Sequence, residues 1–499
     1  MKHFALKLIS LLLVTAMLAG MAACGGGVDS GSPESVTAAA DTAADTTEAV
    51  TEPELSDNLP NRDWNGKTIT FAIAPSNIDD IWVDGESGDV CNDAVYQRNI
   101  LIEDRFNVKI ATIMPTDNIE NWYDPMIKVV MAGEDVFQVA GHYAFQVHKA
   151  ISQGIYQDWM NCEYINLDQP WWFRDINDSA VINGKLYNLT GNLGMSLLQY
   201  TAAFYYNIKL AESYGHAPAD FYKLVRDGSW TFDTMTEMVK PMYSDLNGDG
   251  ARDDFDQYGW ATHSGTVIDL WQAAFDLPMT ARDKDGNISV IYMSDKRQQA
   301  LEKVVNLYAA NEGAYFYTKK AVQTSWLWYE QFAFSLGQQT FCAGPFLAAY
   351  MIFRDMEDAY GILPLPKWDE KQAEYYTNLN DRYTVWGIPM TTTDYEFIGM
   401  MAEAMACESY KSIYPAYFDV ALKSKYSEDA DTAEMVDIVV NGMQFDFAYT
   451  FGTSTSIFAN MPYLFRDRVR ALSTDLSSAF AAVEGKIEAN LDTLMAMYE

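Results

Sequence analysis

The chain has 499 residues, with 69 acidic side chains against 34 basic ones and a formal net charge of −35 at pH 7. So acidic a surface argues against nucleic acid or an anionic lipid surface as partner, since either requires a basic face. Hydrophobic residues make up 49% and aromatics 14%, which is ample for a large core divided between two domains or lobes.

The first 23 residues read as a processing segment. Lys2 and Lys7 form a basic start, 8–18 is an apolar run, and small residues lead into Cys24. The run is too short for a secure membrane span. Met-Ala-Ala-Cys24 resembles a bacterial lipobox, which would make Cys24 the lipidated N-terminus of a mature protein held at the outer face of the cell membrane. Met21 stands where Leu is usual, so an ordinary secretory signal remains the alternative. Residues 24–61 are dominated by Gly, Ser, Thr, Ala, Pro and acid, without aromatics. They cannot bury enough apolar surface to fold and read as a flexible tether.

Beyond the tether, 68–73 alternates as a strand and 92–106 has a helical stripe of Ala94, Val95, Leu101, Ile102 and Phe106. A strand at 108–113, a helix at 122–131 and a strand at 136–139 continue the alternation, the signature of a parallel α/β sheet. Asn183-Gly184 marks a hairpin turn. A second set follows: strand 202–206, helices 208–214 and 232–243, and a strand at Tyr258-Gly-Trp260. Helices are expected at 295–312 and 326–336, short strands at 340–343, 359–363 and 386–389, and mostly helix from 395, ending in 473–497.

The stretch 245–256 is the most chemically explicit. Oxygen-bearing groups fall at loop positions 1, 3, 5, 7, 9 and 12: Asp245, Asn247, Asp249, the Ala251 carbonyl, Asp253 and Asp256, with Gly250 at position 6. That is EF-hand spacing, and hard oxygens suit a structural Ca²⁺. Asp256 is shorter than the usual Glu. The alternative is a solvated acidic turn, because Asn-Gly and Asp-Gly form turns by themselves. A single such loop, with no paired second loop, reads as a staple for a surface connection and not as a calcium sensor.

Several motifs in order resemble the family 1 extracellular solute-binding proteins of ABC importers. They are Asn92-Asp-Ala-Val-Tyr-Gln-Arg-Asn99, Asp220-Phe-Tyr-Lys-Leu-Val-Arg-Asp-Gly-Ser-Trp-Thr-Phe-Asp233 running into the acidic loop, Tyr360-Gly-Ile-Leu-Pro-Leu-Pro-Lys367, and Pro415-Ala-Tyr-Phe418. The resemblance implies an α/β, two-lobed periplasmic-binding-protein-like fold of type II with hinge strands between the lobes. It places 62–192 and 344–390 in an N-terminal lobe, and 193–343 and 391–499 in a C-terminal lobe. It also implies a carbohydrate, in particular an oligosaccharide, captured between the lobes and delivered to transmembrane permease subunits.

The chemistry favours binding over catalysis. His142, His148, His216 and His263 lie in no HExxH or triad-like context, and there is no Walker loop or GxGxxG. Cys91, Cys162, Cys342 and Cys407 are widely spaced without a CxxC, as core thiols or one disulfide. A cell-surface carbohydrate-active enzyme and a calcium-stabilised adhesion module are the rival classes. Aromatic supply supports sugar binding, because a Trp face covers the axial C–H groups of a pyranose. Candidate platforms are Trp82, Trp171, Trp172, Trp271, Trp326 and Trp328, each of which could instead be a core residue. Candidate polar contacts are Asn77, Asn380, Asp381 and Arg382, from their expected loop positions.

Overall fold

The computed structural model describes residues 55–118, 121–263, 265–284, 286–317, 329–421, 430–452, 458 and 460–496. Cys24, Trp326 and Trp328 lie outside the described residues.

Two sheets carry the described chain. The strands in order are β1 (Lys67–Ile73), β2 (Val108–Ile113), β3 (Val139–Tyr143), β4 (Tyr156–Gln157), β5 (Ala202–Asn207), β6 (Tyr243–Ser244), β7 (Gln257–Thr262), β8 (Thr280–Arg282), β9 (Ile288–Val290), β10 (Ala314–Phe316), β11 (Gln339–Pro345), β12 (Tyr360–Leu363), β13 (Thr377–Asn378), β14 (Thr384–Pro389) and β15 (Met443–Gln444). The first sheet has order β2-β1-β3-β14-β4, and the second β10-β7-β11-β5-β12, with β6 beside β7. β1 pairs in parallel with β2 (Lys67 with Val108) and with β3 (Phe71 with Val139), whereas β14 runs antiparallel to β3. In the second sheet β5 is antiparallel to both β11 and β12. The chain therefore leaves the first sheet after β4, builds the second from β5 to β12, and returns to the first with β14. The result is an α/β fold of two lobes, each built on one sheet.

Local chemistry sets these elements. Helix Val90–Phe106 starts where the Asp89 side chain accepts from the amides of Cys91 and Asn92, and it ends at Asn107 in the left-handed region at φ 47°. Its buried Val95, Ile102 and Phe106 meet the first sheet at helical spacing. Asn183 and Gly184 both have positive φ, 48° and 74°, which a two-residue turn requires. Ile182 and Lys185 exchange backbone hydrogen bonds across that turn, yet no longer ladder extends from it.

Three segments join the lobes. Residues 196–202 run beside 378–384: Thr201 bridges Leu379, the Asn380 amide donates to the Tyr200 carbonyl at 3.1 Å, and the Thr384 amide donates to Ser196 Oγ at 3.0 Å. The third is the 27-residue helix Tyr395–Ala421. Phe397, Ile398 and 400–407 pack in the core of the first sheet with Phe71, Trp159 and Trp386, while Ile413 and Tyr417 belong to the other large core. The first half of this helix thus sits with the first lobe and not, as 391–499 implied, with the second. Likewise β12, within 344–390, belongs to the second sheet.

Other boundaries shift for physical reasons. Asp57 is buried and its carboxylate meets Arg105 Nη1 at 2.5 Å, while Leu59 packs on the first core. The tether to residue 61 is therefore shortened at its end. The helix expected to reach Tyr243 stops at Val239, because Tyr243 pairs with Tyr258 as β6. The segment 473–497 divides into Leu476–Ala481 and Glu484–Ala496. All four later cysteines are free and buried. Among the described residues no helix is long and apolar enough to cross a membrane.

Candidate functional site

A cavity of about 210 Å³ opens beside the hinge. Helix Gly265–Ala274, which follows the carboxyl end of β7, presents Asp269 and Gln272 to it. Asn378 and Leu379 come from a hinge strand, 444–450 supplies Tyr449 and Thr450, and Ser179 comes from the first lobe. That volume lies under the roughly 300–1,000 Å³ usual for small-ligand clefts. A smaller pocket is lined by Tyr200, Thr266, Gln331 and Asn380.

Several polar residues of the lining are buried. Gln272 is 3% exposed, its amide nitrogen donates to the Pro462 carbonyl at 3.1 Å, and its Oε1 has no partner. Asn378 Oδ1 is likewise buried without a partner. Leaving a buried acceptor unpaired costs about 1–3 kcal/mol, so both oxygens call for a donor. Asp269, 1% exposed, takes Arg466 Nε at 3.0 Å. Burial pushes its carboxyl up to about 7, with Arg466 opposing and Asp381 adding to the rise. The Arg466 guanidinium in turn lies 3.7 Å over the Tyr463 ring. Asp446 accepts from the amides of Met279 and Tyr449, both at 2.9 Å, fixing the bend that brings 444–450 to the cavity. The arrangement suits a ligand rich in hydroxyl or amine donors.

The residues expected from sequence fall into two groups. Asp381 and Arg382 lie at the hinge: the Asp381 carbonyl accepts from the Phe145 amide at 3.1 Å, and the Arg382 guanidinium sits 5.7 Å from the rings of Tyr143 and Phe145. Asn380 lines the smaller pocket. Asn77, by contrast, is spent internally. Its amide donates to Thr384 Oγ1 at 2.6 Å, and that hydroxyl donates to Asp80 at 2.8 Å.

The aromatic platforms are mostly core. Trp171 and Trp172 are 0% and 2% exposed, and their indole N–H groups donate to the two oxygens of Glu403 at 3.1 and 2.6 Å. Trp271 is fully buried against Phe232, Phe275 and Trp260. None of these three faces can stack on a solute. Trp82 is half-buried on the first core, with its indole near Asp84. Sequence reasoning missed Asp269, Gln272 and Asn378, although one charge within the apolar Val267-Ile-Asp-Leu-Trp271 was a visible signal.

The acidic loop stands apart from the cavity. The Asp245 carboxylate accepts from the amides of Gly248 (2.6 Å) and Gly250 (2.9 Å), and Asp249 accepts from Ala251 at 2.7 Å. Asp256 is fully buried and accepts from Tyr243 OH at 3.1 Å and from the amides of Asp253 and Leu246. Gly248 and Gly250 both adopt positive φ. Among the described residues no three His, Cys, Asp or Glu side chains converge as a metal-holding group.

No protein-family model matches the chain, and no curated protein does. Solved structures share its fold. The Listeria monocytogenes ABC substrate-binding protein Lmo0181 in complex with cycloalternan is 13% identical, with a TM-score of 0.50 over 86% of this chain and 98% of that one. Mycobacterium tuberculosis UgpB in complex with glycerophosphocholine is 12% identical, with a TM-score of 0.51 over 86% and 98%. The maltose/maltodextrin-binding domain MalE from Bdellovibrio bacteriovorus, bound to maltotriose, is 10% identical, with a TM-score of 0.50 over 86% and 100%. At these identities the likeness establishes the two-lobed binding-protein fold.

Proposed function

We propose that the chain is the solute receptor of an ABC importer, capturing a carbohydrate, in particular an oligosaccharide, and delivering it to transmembrane permease subunits. The observation that carries this is the cavity beside the hinge, with the unpartnered oxygens of Gln272 and Asn378 next to Asp269. Sugar hydroxyls donate to such oxygens, and a solute touching both lobes binds their closed arrangement better, shifting the population toward it. Two of the neighbours named above hold saccharides, which supports the choice of ligand class.

The signal-like start and Cys24 support a receptor lipid-anchored at the outer face of the cell membrane. The spacing of 245–256 supports a structural Ca²⁺ held by Asp245, Asn247, Asp249, the Ala251 carbonyl, Asp253 and Asp256, away from the solute. Thermal-shift and calorimetric titration with maltotriose, cycloalternan and glycerophosphocholine test the solute class. The expected result is a saccharide-dependent rise in melting temperature with no product on prolonged incubation. Stabilisation by glycerophosphocholine alone would refute the carbohydrate assignment, and accumulating hydrolysis product would refute the receptor.

A further inference from the structure

The hairpin β8–β9 follows helix Gly265–Ala274 of the second lobe, its Ile288 and Val290 pack against the large buried cluster that includes Leu270, Trp271 and Leu277, and the Ile291 amide closes the hairpin on the Met279 carbonyl. Its Arg282 reaches the first lobe. Nη1 donates to the Val181 carbonyl at 2.5 Å and Nη2 to the Ser179 carbonyl at 2.7 Å, at the end of helix Arg174–Ala180. Nη1 also donates to the Gly286 carbonyl of its own hairpin at 3.3 Å, and the guanidinium lies 5.9 Å from the Phe447 ring. The last carbonyls of a helix lack partners within it and carry its negative end, so a planar cation fits there. Both Arg282 and Ser179 line the large cavity.

We propose that Arg282 is a clasp holding the two lobes closed over the cavity, a positioning residue that acts through the lobe arrangement and not as a principal solute contact. Its solute-related consequence rests on the receptor reading; the clasp itself does not. Opening the lobes returns two carbonyls and a guanidinium to water, and closing pairs them again. Because the Gly286 carbonyl of its own hairpin also holds the guanidinium, little side-chain freedom is lost on closing. Hydrogen bonds from a charged donor carry enough free energy to change a closed-to-open ratio by roughly tenfold.

The test measures lobe separation in the full chain without solute, by electron–electron distance spectroscopy between spin labels at Lys109→Cys on β2 and Glu302→Cys on helix Asp295–Ala310. Both positions are exposed, the four later cysteines are buried, and the fifth is removed as Cys24→Ser so that it takes no label. The expected result is a short-distance population that falls about tenfold in Arg282→Met, with Arg282→Lys between the two, since an ammonium cannot reproduce the planar fork. A distance distribution identical in wild type and Arg282→Met overturns the clasp. If Arg282→Met does not fold, Arg282→Lys decides by the same criterion. Stopped-flow release of maltotriose then tests the consequence, with dissociation faster in Arg282→Lys while association changes little. Should maltotriose bind no form, the solute assignment fails while the label distances still decide the clasp.

Discussion

Glu403 in the first lobe and Asp269 in the second are two carboxylates with the same exposure, 1%, and both are pushed up to about 7 by burial. Their partners differ. Glu403 accepts from two indole N–H groups and the Asn166 amide, all neutral donors, and ties the 166–172 loop to helix Tyr395–Ala421. Asp269 faces a guanidinium on one side and a cavity with unpaired acceptors on the other. A perturbed carboxyl alone therefore does not mark a site. What separates the two is whether the surrounding polar atoms are already satisfied.

The largest expected effect separates them directly. Asp269→Asn leaves the Arg466 guanidinium, whose side chain is 18% exposed, without its counter-charge. Loss of one partner of a buried pair costs about 3–5 kcal/mol, less the share that solvent recovers here. Saccharide affinity should also drop by at least tenfold, as expected for a charged acceptor lost from a binding site. Calorimetric titration of maltotriose against the folded variant checks this; unchanged affinity would place Asp269 with Glu403 as purely structural. Glu403→Gln is the counterpart. An amide oxygen can receive one indole N–H while its NH₂ opposes the other, a loss of about 1–3 kcal/mol seen in denaturant unfolding, with maltotriose affinity unchanged. A matching loss of affinity would couple the two regions.

Acidity tests what they share. Both folded values lie above the ordinary carboxyl range, so between about 4 and about 7 the folded state keeps protons that the unfolded chain has released. Stability from these two groups is therefore greatest at the low end of that window and falls as pH rises through it. Melting temperature should decline from pH 5 to pH 8, and the slope should shrink in Glu403→Gln. A slope that the substitution leaves untouched would assign it to other groups.

The same contrast explains what could be read from sequence. Alternating strands and helices gave the two α/β lobes, because the periodicities that bury β1 or helix Val90–Phe106 are local. The loop at 380–382 was legible from its position before the strand at 386–389, though its place at the hinge was not. Trp171 and Trp172 were misread because their role depends on Glu403, more than 230 residues away. Adjacent tryptophans look alike in sequence whether they face a solute or a buried carboxylate. Asn77 was hidden for the same reason, spent on Thr384 and Asp80. The cavity itself is made of hinge, helix and hairpin residues brought together only by the closed chain path, so Gln272 and Asn378 carried no local signal.

The smallest expected effect concerns carboxylates at the opposite limit of burial. Asp249 is exposed, Asp245 and Asp253 are half-buried, and of the proposed ligands only Asp256 is fully enclosed, held by Tyr243. Such a loop already satisfies several of its oxygens with its own amides, so a cation adds stability to a preformed turn and need not create the fold. An extracellular-type affinity on the order of 10⁻⁴ to 10⁻³ M gives roughly 0.4–1.4 kcal/mol at about 1 mM Ca²⁺. In a chain this long that is on the order of 0.5–1.5 °C in melting temperature. Chelation should therefore lower the melting temperature slightly in wild type and not at all in Asp249→Ala, with maltotriose affinity unmoved in both. An identical melt with and without chelator would leave the loop a solvated turn, and a change in maltotriose affinity on chelation would connect it to the cavity after all.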